Sequence, residues 1–201
     1  MPKQVDHAHR RRQIIEALWR ITTSGGLERA SFRQVAAEAG VSVSLIQHYF
    51  GTKDDLLVAA LEHLAHGAVS RIQARTARLG AHPTERARLA AVFDEFFPDD
   101  DQSRETMLLF IVFEAAALSH TGLARAEARQ MTASLYANVA SMLRQAQDHG
   151  RASEAIDPEL EAVVLVGTLT SVSQGVLGGH LSTDEGRAAV TYALERALPA
   201  G

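Results

Sequence analysis

The chain has 201 residues, 46% of them apolar, which supplies a packed core and excludes disorder along most of its length. It has no cysteine, which excludes disulfides, thiolate metal sites and cysteine nucleophiles and suits a reducing cytoplasm. The net charge of −4 is unevenly spread: residues 1–53 hold eight basic and four acidic residues, so a basic first quarter precedes an acidic remainder, as expected where only the first part faces a polyanion.

The N-terminal stretch MPKQVDHAHRRRQ is polar and basic and does not run on into the apolar segment of a secretory leader. Strand signals are nearly absent, since there is no sustained period-2 alternation and no Asn-Gly or Asp-Gly turn. The pattern predicts an all-α fold of about nine helices, near 9–24, 31–39, 43–50, 53–79, 84–96, 102–118, 122–149, 158–178 and 183–197. Ser31 with Gln34, Thr52 with Asp55 and Ser182 with Glu185 fit capping boxes or close variants, and Asp157 before Pro158 marks a further start. Glycines at 25–26, 40, 51, 80, 150 and 178–179 and Pro98 mark stops. Two domains are expected, a DNA-binding head over 1–52 and an effector-binding and dimerisation domain over 53–201, joined through the helix that starts near Lys53.

In the first helix Ile14, Leu18 and Ile21 share a face, as do Phe32, Val35, Ala36 and Ala39 in the second. Gly40 then suits a left-handed cap, Val41 a plug and Ser42 the cap of a third helix, the short turn that sets two helices at a steep angle. In that third helix Ile46, Tyr49 and Phe50 fall on one side, and Ser44, Gln47 and His48 on the other. The run Arg10-Arg11-Arg12 reads as a flexible arm touching phosphate or the minor groove, so that losing its charge weakens binding to all DNA alike.

The segment FRQVAAEAGVSVSLIQHYFGTKDDLL resembles the TetR-type repressors, and HYF followed by GTK is most similar to their BetI-like branch. The resemblance, over about residues 10–65, implies that the helix after Gly40 enters the major groove as a homodimer reads a palindromic operator. It implies Val43, Ser44, Leu45 and Gln47 at base edges, His48, Tyr49 and Lys53 at the backbone, and Ser31, Arg33 and Ser42 beside them. Many members carry tyrosine where this chain has Gln47, which can bond adenine bidentately and so alter the operator sequence.

Beyond residue 53, Phe93, Phe96, Phe97, Met107, Phe110, Ile111, Glu114 and Tyr136 are candidates for an effector pocket. MLLFIVFEAAAL is apolar all round except for Glu114, which predicts a central helix with a buried, internally partnered carboxylate. Residues 162–183 carry no Lys, Arg, Asp or Glu, yet interspersed Thr, Ser, Gln and Gly argue for a helix buried on two sides and against a membrane span. In TetR-like repressors the last two helices pair with their mates as a four-helix bundle, which implies Val163, Gly167, Thr170, Ser171, Gln174 and Leu194 at the interface. A small-molecule effector would then release the operator DNA.

Two other readings use the same residues. His63 with His66, or Asp99-Asp100-Asp101, could suggest a helical metalloenzyme, but the two histidines read as solvated and adjacent aspartates in a loop diverge. The chain also lacks a nucleophile elbow, a phosphate loop and an HExxH helix, so no metal, cofactor or catalytic residue is assigned. An activating or ligand-independent DNA-binding protein would share the head.

Overall fold

Ser31 shows how locally the chain sets its own architecture. Its hydroxyl accepts from the Gln34 amide, and the Gln34 side chain reaches back to the Ser31 N–H, so helix α2 (Phe32–Ala39) starts with two otherwise orphaned donors satisfied. Gly40 ends it at φ +65°, a left-handed conformation that costs glycine nothing, while the Gly40 and Val41 N–H groups cap α2 carbonyls. Ser42 then accepts from the Leu45 N–H and opens α3 (Val43–Phe50). Thr52 and Asp55 exchange hydrogen bonds at the start of α4 (Lys53–Ala77).

The structure is a computed structural model that describes residues 2–119 and 123–199. All regular elements among these residues are helical: α1 (Pro2–Gly25) and a 3-10 turn (Leu27–Arg29) precede α2, and α5 (Glu85–Phe96), α6 (Asp101–Ser119), α7 (Leu123–Asp148), α8 (Pro158–Leu177) and α9 (Thr183–Ala197) follow α4. The expected helices are found, most ends agreeing to within about two residues. Two differences stand out. Helix α1 starts at Pro2, so Arg10-Arg11-Arg12 lie inside a helix and not on a flexible arm, and the 3-10 turn seats Leu27 in the interior where a simple loop was expected.

The chain divides into two compact units, Met1–Gly67 with Leu108–Gln130, and Ala68–Met107 with Met131–Gly201. In the first, α1 packs on α2 and α2 on α3. Ile14, Ala17, Leu18, Val35 and Ile46 are fully buried there, while Ile21, Phe32 and Tyr49, also expected on the inward faces, are half-buried. In the second, α8 packs on α9 and both meet α5 around a core that includes Leu89, Phe93, Phe97, Val139, Leu143, Leu165, Leu169 and Val190. A β-carbon on Gly186 would lie 2.6 Å from Val176 and 3.2 Å from the Phe97 ring, so only glycine lets α9 come this close.

Leu194 belongs to that core at 5% exposure, which corrects its expected place at a dimer surface. On α9 the inward phase runs through Gly186, Val190, Leu194 and Ala197, and Tyr192 points outward. Helix α8 is long and apolar enough to cross a membrane by length and composition, yet one side of it, with Ala162, Leu165, Val166 and Leu169, is core. Its other side is uncovered in the single chain: Leu160, Val163 and Val164 are more than half exposed, and Gly167, Ser171 and Gln174 are exposed beside them. Thr170 is half-buried.

Candidate nucleic-acid interface

The buried side of α3 is fixed by Ile46 and Phe50, with Leu45 and Tyr49 half-buried at its margins. The opposite side presents Val43, Ser44, Gln47 and His48 to solvent. Gln47, Arg33 of α2 and Lys53 at the first position of α4 are exposed and make no side-chain hydrogen bond or ion pair among the described residues. The hydrogen-bonding capacity of these three is left for water or for a partner from outside. Ser31 and Ser42 are committed to their caps, and the Ser42 and Ser44 hydroxyls lie 3.0 Å apart.

The basic run behaves differently from its expected role. Arg10 donates to the Gln13 side-chain oxygen at 3.0 Å, and Arg11 donates to the Tyr49 carbonyl at 3.2 Å with its guanidinium 4.7 Å from the centre of the Phe50 ring. Arg12 is exposed and has no such partner among the described residues. His7, which sequence reasoning missed, sets its ring edge-on to Tyr49 at 4.9 Å and 6.5 Å from the His48 ring.

The candidate effector residues fall in both units. Phe93, Phe97 and Met107 are fully buried in the second, and Phe96 and Tyr136 pack half-buried against its core. In the first, Phe110 is buried and Ile111 half-buried, while Glu114 has an interaction partner but is half-buried and not the buried acid expected.

A cavity of about 780 Å³ in the second unit is walled by other residues, among them Ala87, Ala90, Ala146, Ala152 and Leu198. Its charged groups are already paired. Arg151 donates two hydrogen bonds of 2.7 Å to the buried Glu85 carboxylate, His149 Nδ1 lies 3.0 Å from the same group, and Arg86 pairs with Glu195. The Arg151 fork holds the Glu85 carboxyl far below the ordinary range, down to about 2.

Of the residues considered as metal ligands, His63, Asp99 and Asp100 have structural partners. His63 stacks near Trp19 at 5.3 Å, Asp99 pairs with Arg187, and Asp100 caps α6 by accepting from the Ser103 N–H at 2.6 Å, which draws its pKa down. No group of three or more potential metal ligands forms among the described residues. Glu95, missed by sequence reasoning, is wholly buried and held by Arg71 at 2.7 Å, with Arg75 at 3.7 Å.

Residues 14–60 match the family described as bacterial regulatory proteins, tetR family, and residues 85–199 match the BetI-type transcriptional repressor C-terminal family. The chain is 33% identical over 157 residues to the transcriptional regulator BetI of Burkholderia thailandensis, covering 77% of this chain and 78% of that one. It is 37% identical over 117 residues to the regulator PksA of Bacillus subtilis, a match that spans 58% of this chain and little more than half, 56%, of PksA.

A putative TetR-family regulator from Rhodococcus sp. superposes with a TM-score of 0.82 at 25% identity, over 95% of this chain and 99% of that one. A putative regulator from Saccharomonospora viridis, solved in complex with choline, shares the fold with a TM-score of 0.82 at 22% identity, over 95% and 98%. Since one lineage accounts for both the head and the long helical remainder, this protein is a DNA-binding transcriptional regulator of the tetR family with a BetI-type C-terminal domain.

Proposed function

We propose that the protein is a repressor that binds a palindromic operator as a homodimer in the cytoplasm and is released when a small molecule occupies its C-terminal domain. The observation that carries the reading is the solvent-facing side of α3, where Gln47 stands with unused donors and acceptors above a firmly anchored apolar side. Val43, Ser44, Leu45 and Gln47 meet base edges, and Arg33, His48, Tyr49 and Lys53 meet phosphates, with the head over 1–52 and the effector and dimer functions over 53–201. A second copy covers the uncovered side of α8, through Leu160, Val163, Val164, Gly167, Ser171 and Gln174, with Tyr192 of α9 alongside.

The effector acts to the extent that its affinity differs between the DNA-competent and released states. Choline, bound by the Saccharomonospora viridis relative, is the first compound to try.

Selection of duplexes from a random pool by the purified protein tests the reading. Inverted repeats are expected, their half-sites one turn, about 10–10.5 bp, apart or a multiple of it. Gln47→Ala is expected to select a different base at one position per half-site while still selecting a repeat, because one base-edge contact is worth only about 1–3 kcal/mol. Enrichment of no sequence, or of sites without symmetry, would sink the operator reading.

A further inference from the structure

The first turns of α1 lie ahead of the tetR family match, which begins at residue 14. Side chains from these turns nevertheless reach both helices of the helix-turn-helix. Gln13 donates to the carbonyl of Ala39, the last residue of α2, at 2.8 Å, and its own amide oxygen accepts from Arg10, so the orientation of the amide is set from both ends. Arg11 donates to the carbonyl of Tyr49 near the end of α3 and lies over the Phe50 ring. The edge of the His7 and Tyr49 ring pair closes the same corner. The last carbonyls of a helix have no partner within it, and a cation placed there also meets the negative end of the helix dipole. Helix α1 therefore caps α2 and α3 together.

We infer that Arg11, with Gln13, is a positioning residue for operator recognition, holding α3 at its angle to α2, and that the phosphate contact in this run belongs to Arg12. To reach a phosphate, Arg11 would have to leave both the Tyr49 carbonyl and the Phe50 ring, whereas Arg12 has no partner to leave among the described residues. Neighbouring arginines on a helix point about 100° apart, which is how two adjacent and identical side chains come to act differently. Base-edge contacts fail when the reading helix turns by about 10–20°, while sequence-independent phosphate contacts tolerate such a shift. The inference rests on the operator reading above and adds a source of discrimination outside the reading helix.

The test compares wild type, Arg11→Gln, Arg11→Lys and Arg12→Gln on two duplexes, one selected by wild type from a random pool and its scrambled version, across a salt series. Arg12→Gln is expected to weaken both duplexes alike and to lower the slope of log affinity against log salt by about 0.9. Arg11→Gln is expected to keep that slope and the scrambled-duplex affinity, and to lose about tenfold on the selected duplex, the worth of one charge-assisted hydrogen bond. Arg11→Lys, which keeps one donor for the Tyr49 carbonyl, recovers part of the loss. A slope lowered by Arg11→Gln as much as by Arg12→Gln, or equal losses on both duplexes, overturns the inference. If Arg11→Gln melts below the assay temperature, Gln13→Leu gives the same comparison without a charge change, and selective loss on the selected duplex is again the expected result. Failure of the wild type to enrich any duplex counts against the operator reading alone.

Discussion

Truncation of Ile46 to alanine is expected to abolish specific DNA binding while leaving the C-terminal unit folded. Ile46 is wholly buried and sits one residue before Gln47, so the same short helix that carries the reading face is pinned through this side chain. Removing three carbons from a buried isoleucine costs about 2–5 kcal/mol through lost burial and the cavity left behind. Folded domains are only marginally stable and have little to spare against such a loss. Helix α3 also has only eight residues, too few to persist without tertiary support.

Hydrogen exchange should show α2 and α3 unprotected in Ile46→Ala and the amides of α8 as slow as in wild type. Full operator affinity in this variant, or a loss of protection spread evenly over the whole chain, would show that α3 is not held as described.

Acid should destabilise the second unit through Glu85. Its carboxyl has a folded pKa of about 2 against an ordinary 4.5, chiefly because Arg151 donates two hydrogen bonds to it, so the folded state favours the charged form. A depressed pKa contributes stability above the unfolded value, and that contribution fades as the pH falls from 4.5 toward 2. A shift of this size corresponds to at most about 3 kcal/mol, and to less here because the Arg151 side chain reaches solvent.

Glu85→Gln keeps the shape and removes the charge. At neutral pH this variant should unfold at a lower temperature than wild type, and the gap should narrow steadily as the pH falls from 4.5 to 2.5, closing only below the folded pKa of about 2. Parallel unfolding curves for the two proteins between pH 7 and 2.5 would mean that the Arg151 pair adds nothing to stability.

Much of this molecule is readable from its residues because helix starts carry their own chemistry. Ser31, Ser42, Thr52, Asp157 and Ser182 each accept the first-turn N–H groups that their types and spacing suggest, and Gly40 takes the expected left-handed turn. The buried side of α3 follows equally well, because Ile46 and Phe50 are four residues apart on a helix.

Composition alone carries no helical phase. Three consecutive arginines look alike, yet the inward stripe of Ile14 and Leu18 continued backwards passes through Arg11 and His7, the two side chains that fold onto the end of α3. The family resemblance implies that α9 faces a mate but carries no phase for it, and the period of α9 turns Leu194 into the core and Tyr192 out. Phe93 and Phe97 illustrate a third limit: aromatic content supplies core and pocket walls equally, and which one a ring becomes depends on packing between helices far apart in sequence. Ion pairs such as Arg151 with Glu85, 66 residues apart, leave no local trace at all.

The mass of the protein–DNA complex tests the central claim most directly. Wild type on a selected inverted-repeat duplex should sediment with an even number of 21.7 kDa chains, one per half-site, and Val163→Glu with Val164→Glu should leave a folded single chain that no longer retains the repeat. A single wild-type chain bound to the full repeat, as tightly as the protein ever binds it, would contradict the account.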